Sequence, residues 1–307
     1  MYMFDWERGG AQELVQQLER DGIIVIRSAQ LCEQLVAQPM AAMTQLLGAA
    51  PLKVNTVAVT PVPGRRSIVE SSLDGRLHVD AYPMLSPDLV VMSCYQQSEG
   101  GGESVFVDAW ETLSAIRKEA PELYAELFLT CRQFRFPAYN VFSPTFSLRQ
   151  DFLMCHHATF PGEGDEIGAR FQAWVDCTRK IAFKLEPGDL YIINNHRFLH
   201  GRTRFFGERR LQRLQAWTDR SLAAPEAFVE AARLAYGWRT ETATQTPKWI
   251  KQRFGLTRAS VDELDLIPST AHDAELSGAL QLLPSAPREL AGRILALEAA
   301  RLTEDFP

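Results

Sequence analysis

Arg76-Leu77-His78-Val79-Asp80 is the stretch on which the fold and chemistry of this chain turn. Side chains two apart on a strand share a face, so the His78 imidazole and the Asp80 carboxylate can meet one ion. A third donor stands far downstream, in Asn195-His196-Arg197-Phe198-Leu199-His200-Gly201-Arg202. His200 from a second strand completes one triangular face of an octahedron. Three positions stay open, the arrangement that suits non-haem Fe(II) and dioxygen chemistry. A His-x-Asp pair alone is a weak signal, because an isolated histidine is more often a surface or hydrogen-bonded core residue than a ligand.

The flanking sequence carries the case. Asp74-Gly75 reads as a turn, Arg76 to Asp80 as the strand after it, and Pro83 as its end. Glu186-Pro187-Gly188-Asp189 is a second turn, followed by the apolar strand Leu190 to Ile193. His200 comes after that strand, and Gly201 beside it permits another backbone to approach closely. Both ligand segments are expected at strand ends.

The remaining pattern predicts a helix over Ala11 to Arg20 closed by Gly22, then an apolar strand from Ile23 to Ile26. Leu31 to Leu47 reads as helix interrupted at Pro39, and Leu89 to Gln96 as a core strand running into Gly100-Gly101-Gly102. Asp108 with Glu111 signals a capped helix, and Pro121 restarts it through Leu129. Strands resume near Phe134 and Phe152, and Glu166 to Phe183 has helical periodicity. The plan fits a mainly β jelly-roll barrel, a double-stranded β-helix, with helical insertions. From about Ser221 the spacing turns helical, in Pro225 to Tyr236, Thr246 to Phe254, Ala274 to Leu283 and Pro287 to Leu302. Residues 1–220 are therefore expected to form the core. Residues 221–307 form a helical extension that packs on the core or on a partner subunit, a possible surface for a homo-oligomer.

Composition narrows the function classes. With 307 residues and 46% hydrophobic content, the chain can bury one large core with or without an appendage. Its 38 acidic against 32 basic residues give a net charge of −6, and no basic stripe is interleaved with aromatics, which argues against nucleic-acid binding. Cys32, Cys94, Cys131, Cys155 and Cys177 are an odd set without a Cys-x-x-Cys pair, so reduced, mostly buried thiols are expected. Met1 to Gly10 lacks a charged and then apolar leader, and no apolar run reaches the length of a membrane span. A cytoplasmic protein with a small-molecule substrate and no membrane partner is the expectation.

Four blocks, in order, resemble the Fe(II)/2-oxoglutarate dioxygenases of the taurine dioxygenase and gamma-butyrobetaine hydroxylase (TauD/TfdA-like) type. They are His78-Val79-Asp80, Gly101-Gly102-Glu103-Ser104-Val105-Phe106-Val107-Asp108, the run from Glu186 to Thr203, and Glu208-Arg209-Arg210-Leu211-Gln212-Arg213. The resemblance runs from about Gly22 to about Asp219. It implies Fe(II) held by His78, Asp80 and His200, with 2-oxoglutarate and O2 as cosubstrates. It further implies that Ser104 and Arg209 contact 2-oxoglutarate, because a guanidinium fork meets a carboxylate with two charge-assisted hydrogen bonds. Arg213 is the second candidate for that anchor, since alternation puts Arg209 and Arg213 on one face and Arg210 on the other. The activity implied is hydroxylation of a C–H bond, with succinate and CO2 as coproducts. Desaturation, cyclisation or epimerisation are alternative endings, and a cupin-like metal protein that does not use 2-oxoglutarate is the rival reading.

Substrate contacts are the least determined part. Arg65 and Arg66 precede the first ligand in a region that often forms a lid in relatives, and Tyr82 lies two places beyond Asp80. His156 and His157 follow a strand, where alternation would aim one inward and the other outward. Each can equally be a solvated or hydrogen-bonded structural residue. The resemblance implies a small amino-acid-like or carboxylate substrate.

Overall fold

The computed structural model describes residues 3–61, 72–80, 86–135, 140–149, 152–157, 164–219, 222–242 and 288–296. Chain contacts divide it into two compact units, one formed by Met1–Asp80, Pro87–Asp108 and Arg179–Leu222, the other by Ala81–Ser86, Ala109–Thr178 and Ala223–Pro307.

In chain order the first unit contributes β1 (Met3–Phe4), α1 (Ala11–Asp21), β2 (Ile23–Arg27), α2 (Ala29–Ala37), α3 (Pro39–Leu47), β3 (Lys53–Val59), β4 (Gly75–His78), β5 (Leu89–Gln96), β6 (Gly100–Gly101) and β7 (Ser104–Asp108). The second contributes α4 (Ala109–Glu119), α5 (Pro121–Leu129), β8 (Arg132–Arg135), β9 (Asn140–Ser143), β10 (Phe146–Arg149), β11 (Phe152–Cys155) and α6 (Glu166–Cys177). The chain then returns to the first unit with β12 (Lys180–Phe183), β13 (Asp189–Asn194), β14 (Phe198–Arg202), β15 (Phe205–Phe206) and β16 (Arg210–Trp217), and ends in the second with α7 (Glu226–Thr242) and α8 (Arg288–Ala296).

In the first unit, a six-stranded sheet runs β1-β2-β13-β5-β16-β3 and a four-stranded sheet runs β12-β7-β14-β4. Alternation sorts their side chains into two cores. Ile23, Val25, Val90, Tyr191, Ile193 and Leu211 meet Phe106 and Phe198 of the smaller sheet. Ile24, Ile26, Val91, Leu190, Ile192 and Leu214 turn to the other face, onto Leu14, Leu18, Leu31 and Leu46 of the N-terminal helices. Central strands buried on both faces explain the unbroken apolar runs of β2, β5 and β13. The architecture is mainly β, the jelly-roll type expected. Gly22 closes α1 in the left-handed region at φ 70°, donating its N–H to the Leu18 carbonyl, and Pro39 opens α3 at its first turn rather than kinking one long helix.

The second unit is packed around aromatic rings. Tyr124 meets Phe128 and Phe228, Phe128 meets Phe146, and Phe146 meets Phe171 edge-on. Its β8–β9 and β10–β11 pairs are antiparallel. Among the described residues, α7 and α8 are the helices found beyond residue 221. The expected helices at Thr246 to Phe254 and Ala274 to Leu283 lie outside the described residues.

Three expectations are corrected. Glu166 to Phe183 is not one helix: α6 stops at Cys177, and Lys180–Phe183 pairs with β7 from Val107 to Ser104. Ile181 and Phe183 stand two apart, the spacing of a strand, and both face the core between the sheets. The strand expected over Arg76 to Asp80 ends at His78, so Asp80 lies beyond the ladder, and His200 sits in the middle of β14 rather than at a strand end.

Candidate metal centre

His78 and His200 are brought side by side by the register of two strands. They are direct cross-strand partners of β4 and β14, and a register shift follows between His200 and Arg202. Gly201 explains how β4 comes so close, since a Cβ there would stand 2.3 Å from the Gly75 carbonyl oxygen. The two imidazole rings lie 4.7 Å apart and tilted by 44°.

Asp80 reaches the same point by a different device. Its backbone N–H donates to Asn195 Oδ1 at 2.9 Å, and Asn195 Nδ2 donates to the carbonyls of Asp80 at 3.3 Å and Pro87 at 2.9 Å. The Asn195 amide thus stands in for ladder hydrogen bonds where the strand has ended, and it needs no exposed edge to do so.

One ligand atom from each of His78, Asp80 and His200 lies within 4.8 Å of the others. Asp80 Oδ1 is 3.6 Å from His78 Nε2 and 3.4 Å from His200 Nε2. The edge of an octahedron with bonds of about 2.1 Å is roughly 3 Å, so the donors need only a small inward movement to share a metal. His78 Nδ1 lies 2.7 Å from the Arg76 carbonyl. A carbonyl only accepts, so Nδ1 carries the proton and Nε2 keeps its lone pair for the cluster. Both ring nitrogens of His200 are buried without a hydrogen-bond partner. Burial pushes the His200 imidazole below its ordinary value, with His78 and Arg213 acting in the same direction, which keeps it neutral and able to ligate. Burial acts to raise the Asp80 carboxyl, but the Arg213 guanidinium and the two imidazoles outweigh it and hold Asp80 well below the carboxylate range. One anionic oxygen donor and two neutral nitrogen donors fit Fe(II).

Asp80 has two further neighbours on β16. Arg213 Nη1 donates to Asp80 Oδ1 at 2.8 Å, and Gln215 Nε2 donates to Asp80 Oδ2 at 2.9 Å. Arg209 is also buried, with its guanidinium 5.3 Å from the centre of the Phe205 ring and its Nε without a partner. Burial lowers the Arg209 pKa, and the neighbouring Tyr191 and Cys94 offset only part of that. Arg210 is exposed. Ser104 is buried on β7 opposite Arg202 of β14. Thr203 Oγ1 accepts from the N–H groups of Gly102 and Glu103 at 3.0 and 3.1 Å, fixing the glycine loop that leads into Ser104.

The residue set 3–215 matches the family model for taurine catabolism dioxygenase TauD and TfdA. The chain belongs to the TauD/TfdA dioxygenase family. It is 28% identical to gamma-butyrobetaine dioxygenase of Pseudomonas sp. strain AK-1 over 139 residues, 39% of this chain and 36% of that protein, so the match spans just over a third of the curated relative. The fold is similar to that of asparagine oxygenase in complex with Fe(II), 2S,3S-3-hydroxyasparagine and succinate, at a TM-score of 0.53 and 20% identity over 68% of this chain and 79% of that one. AAD-2 in complex with Mn(II) and N-oxalylglycine aligns at 0.51 and 15% identity over 68% and 87%. No helix among the described residues is long and apolar enough to cross a membrane.

The expected substrate contacts fare differently. Arg65, Arg66 and Tyr82 lie outside the described residues. His156 and His157 belong to the second unit and are both buried, because β11 ends at Cys155 and strand alternation no longer applies. His156 Nε2 meets Ser147 Oγ at 2.7 Å and His157 Nε2 meets Gln172 Oε1 at 2.6 Å. Sequence reasoning passed over Asn195, Asn55 and Gln215. For Gln215 a signal existed: it stands two places beyond Arg213 and so shares its face.

Proposed function

We propose that this TauD/TfdA member is an Fe(II)- and 2-oxoglutarate-dependent oxygenase that hydroxylates a C–H bond of a small amino-acid-like or carboxylate metabolite. The observation that carries the proposal is a buried His200 with both ring nitrogens unpartnered, facing a carboxylate and a second imidazole. A buried polar atom without a partner costs about 1–3 kcal/mol, so a fold that keeps such atoms together keeps them for a ligand.

In this reading His78, Asp80 and His200 hold Fe(II), while Ser104 contacts 2-oxoglutarate and Arg209 takes its distal carboxylate. Arg213 is occupied by Asp80, which favours Arg209 for that role. Bound together, Fe(II), 2-oxoglutarate and O2 would supply the oxidising power: one oxygen atom goes into succinate as CO2 leaves, and the other goes to the substrate carbon. The chain's own part is electrostatic and geometric. His200 stays neutral, Asp80 stays anionic, and the apolar residues between the sheets keep water from the reacting centre. The substrate class rests on the family resemblance, and desaturation, cyclisation and epimerisation would differ from hydroxylation only in where the substrate carbon sits. Residues 221–307 are read as a helical extension that covers the 1–220 core or meets a second copy, which the sedimentation mass of the full chain distinguishes.

The deciding experiment is anaerobic. Fe(II) and then 2-oxoglutarate are added to metal-free protein, with Asp80→Ala as control, and the visible charge-transfer band of the chelate is sought. Its appearance in the parent chain alone supports the proposal and opens a screen of amino acids and small carboxylates for succinate release. Iron binding without the band would favour a cupin-like protein that does not use 2-oxoglutarate.

A further inference from the structure

We infer that Gln215, anchored by Asn55, is a positioning residue that fixes how Asp80 presents itself to the metal. This rests on the metal reading above. Gln215 and Asn55 are direct partners across β16 and β3, so their side chains lie together on one face. Asn55 Nδ2 donates to Gln215 Oε1 at 3.1 Å, and Gln215 Nε2 donates to Asp80 Oδ2 at 2.9 Å. Gln215 and Asp80 are buried, whereas Asn55 is exposed.

The direction of this relay is dictated by chemistry. A carboxylate only accepts, so Gln215 must offer its NH2 to Asp80, and its carbonyl is then left for Asn55 to satisfy. Turned over, the amide would set its carbonyl oxygen against the Asp80 carboxylate, so Asp80 decides which end the amide offers. Asn55 donates to the carbonyl left over and anchors the far end of the amide.

The consequence lies at the carboxylate. Each oxygen accepts one hydrogen bond, Oδ1 from Arg213 at 2.8 Å and Oδ2 from the Gln215 amide, and Oδ1 is the oxygen that faces His78 Nε2 and His200 Nε2 at 3.6 and 3.4 Å. The amide on Oδ2 holds the carboxylate at the rotation that turns Oδ1 alone to the imidazoles, which favours one-oxygen coordination. A carboxylate free to rotate could bind through both oxygens and occupy a fourth position, leaving two open sites where a chelating cosubstrate and dioxygen need three. The hydrogen-bonded surroundings of ligands tune metal affinity as well as geometry.

The test is a titration of the metal-free full chain with Co(II), reading the dissociation constant and the visible d–d bands, which report coordination number. Gln215→Met keeps the volume and removes the donor. It is expected to weaken Co(II) binding about 10- to 100-fold and to change the band pattern. Asn55→Asp is the sharper variant because it sits at an exposed position. Its carboxylate can only accept, so it draws the Gln215 NH2 away from Asp80 and should also weaken binding, although simple attraction from an added negative charge would tighten it. Asn55→Ala, which releases the amide without reversing it, should fall between Asn55→Asp and the parent chain. Parent affinity and bands in Gln215→Met, or tighter binding in Asn55→Asp, overturn the inference, and if Gln215→Met does not fold the Asn55→Asp result decides alone. Asp80→Ala separates the two layers: parent affinity there sinks the metal reading itself, whereas loss there with parent behaviour in Gln215→Met sinks only the relay.

Discussion

Two buried histidine–aspartate pairs stand in the first unit, their histidines four residues apart in sequence, and they are built to opposite ends. His196 Nε2 meets Asp88 Oδ1 at 2.9 Å, and the second oxygen of Asp88 accepts from the Thr218 N–H at 2.6 Å and its hydroxyl at 3.2 Å. That pair ties the ends of β13 and β16 to the segment before β5. His200 stops 3.4 Å short of Asp80, and neither of its nitrogens finds a hydrogen bond. Residue type and burial are the same in both, so neither identifies a ligand site. What separates the tie from the site is whether the imidazole Nε2 already bonds the carboxylate, as in His196, or is left over, as in His200.

Breaking each pair in turn should separate stability from metal binding. The largest effect is expected from Asp80→Ala, which should abolish iron-dependent succinate formation in a turnover assay while the protein remains folded by circular dichroism. Asp88→Ala should do the reverse: it strands the Thr218 N–H and His196 in the interior and should cost on the order of 3 kcal/mol in a denaturant melt, with Co(II) affinity of the folded protein retained. Arg209→Ala should come next, raising the 2-oxoglutarate requirement about 10- to 100-fold through loss of charge-assisted hydrogen bonds. If Arg213→Ala produces that shift instead, the anchor is Arg213. The smallest effect is a titration. In metal-free protein the His200 ring should titrate below its ordinary 6.5 by NMR. Between the two values the unfolded chain holds a proton that the folded chain lacks, so stability should rise with pH there and be lost as pH falls below 6.5.

Much of this was legible because the local signals were unambiguous. The apolar run Leu89–Gln96, bounded by turn residues, is the strand β5 to the residue, and Pro39 and Gly22 stand where helices begin and end. The signals failed where one element ran straight into another or where tertiary contact replaced a ladder. Ile181 and Phe183 have strand spacing, but they follow α6 so closely that the helical pattern was extended over them, and pairing with β7 separates the two. Asp80 could be chosen as a ligand from its spacing, yet its position is set by the Asn195 side chain rather than by strand alternation. Asn55 carried no signal and Gln215 only the face it shares with Arg213, for a related reason: amides carry no ligand chemistry of their own, and their importance arises only where two strands set them beside Asp80.

The pairing of His78 with His200 has a consequence for folding. Among the described residues, β4 is a four-residue strand at the end of its sheet, with β14 as its one strand partner. An ion shared by the two imidazoles would act as a removable rivet between chain segments far apart in sequence, adding its binding free energy to the hold on that edge. The amides of β4 should then exchange with solvent at a rate that tracks metal occupancy, while those of β13, locked between two neighbours in the larger sheet, keep their protection throughout. Loading the centre and closing the edge of the sheet would be one event.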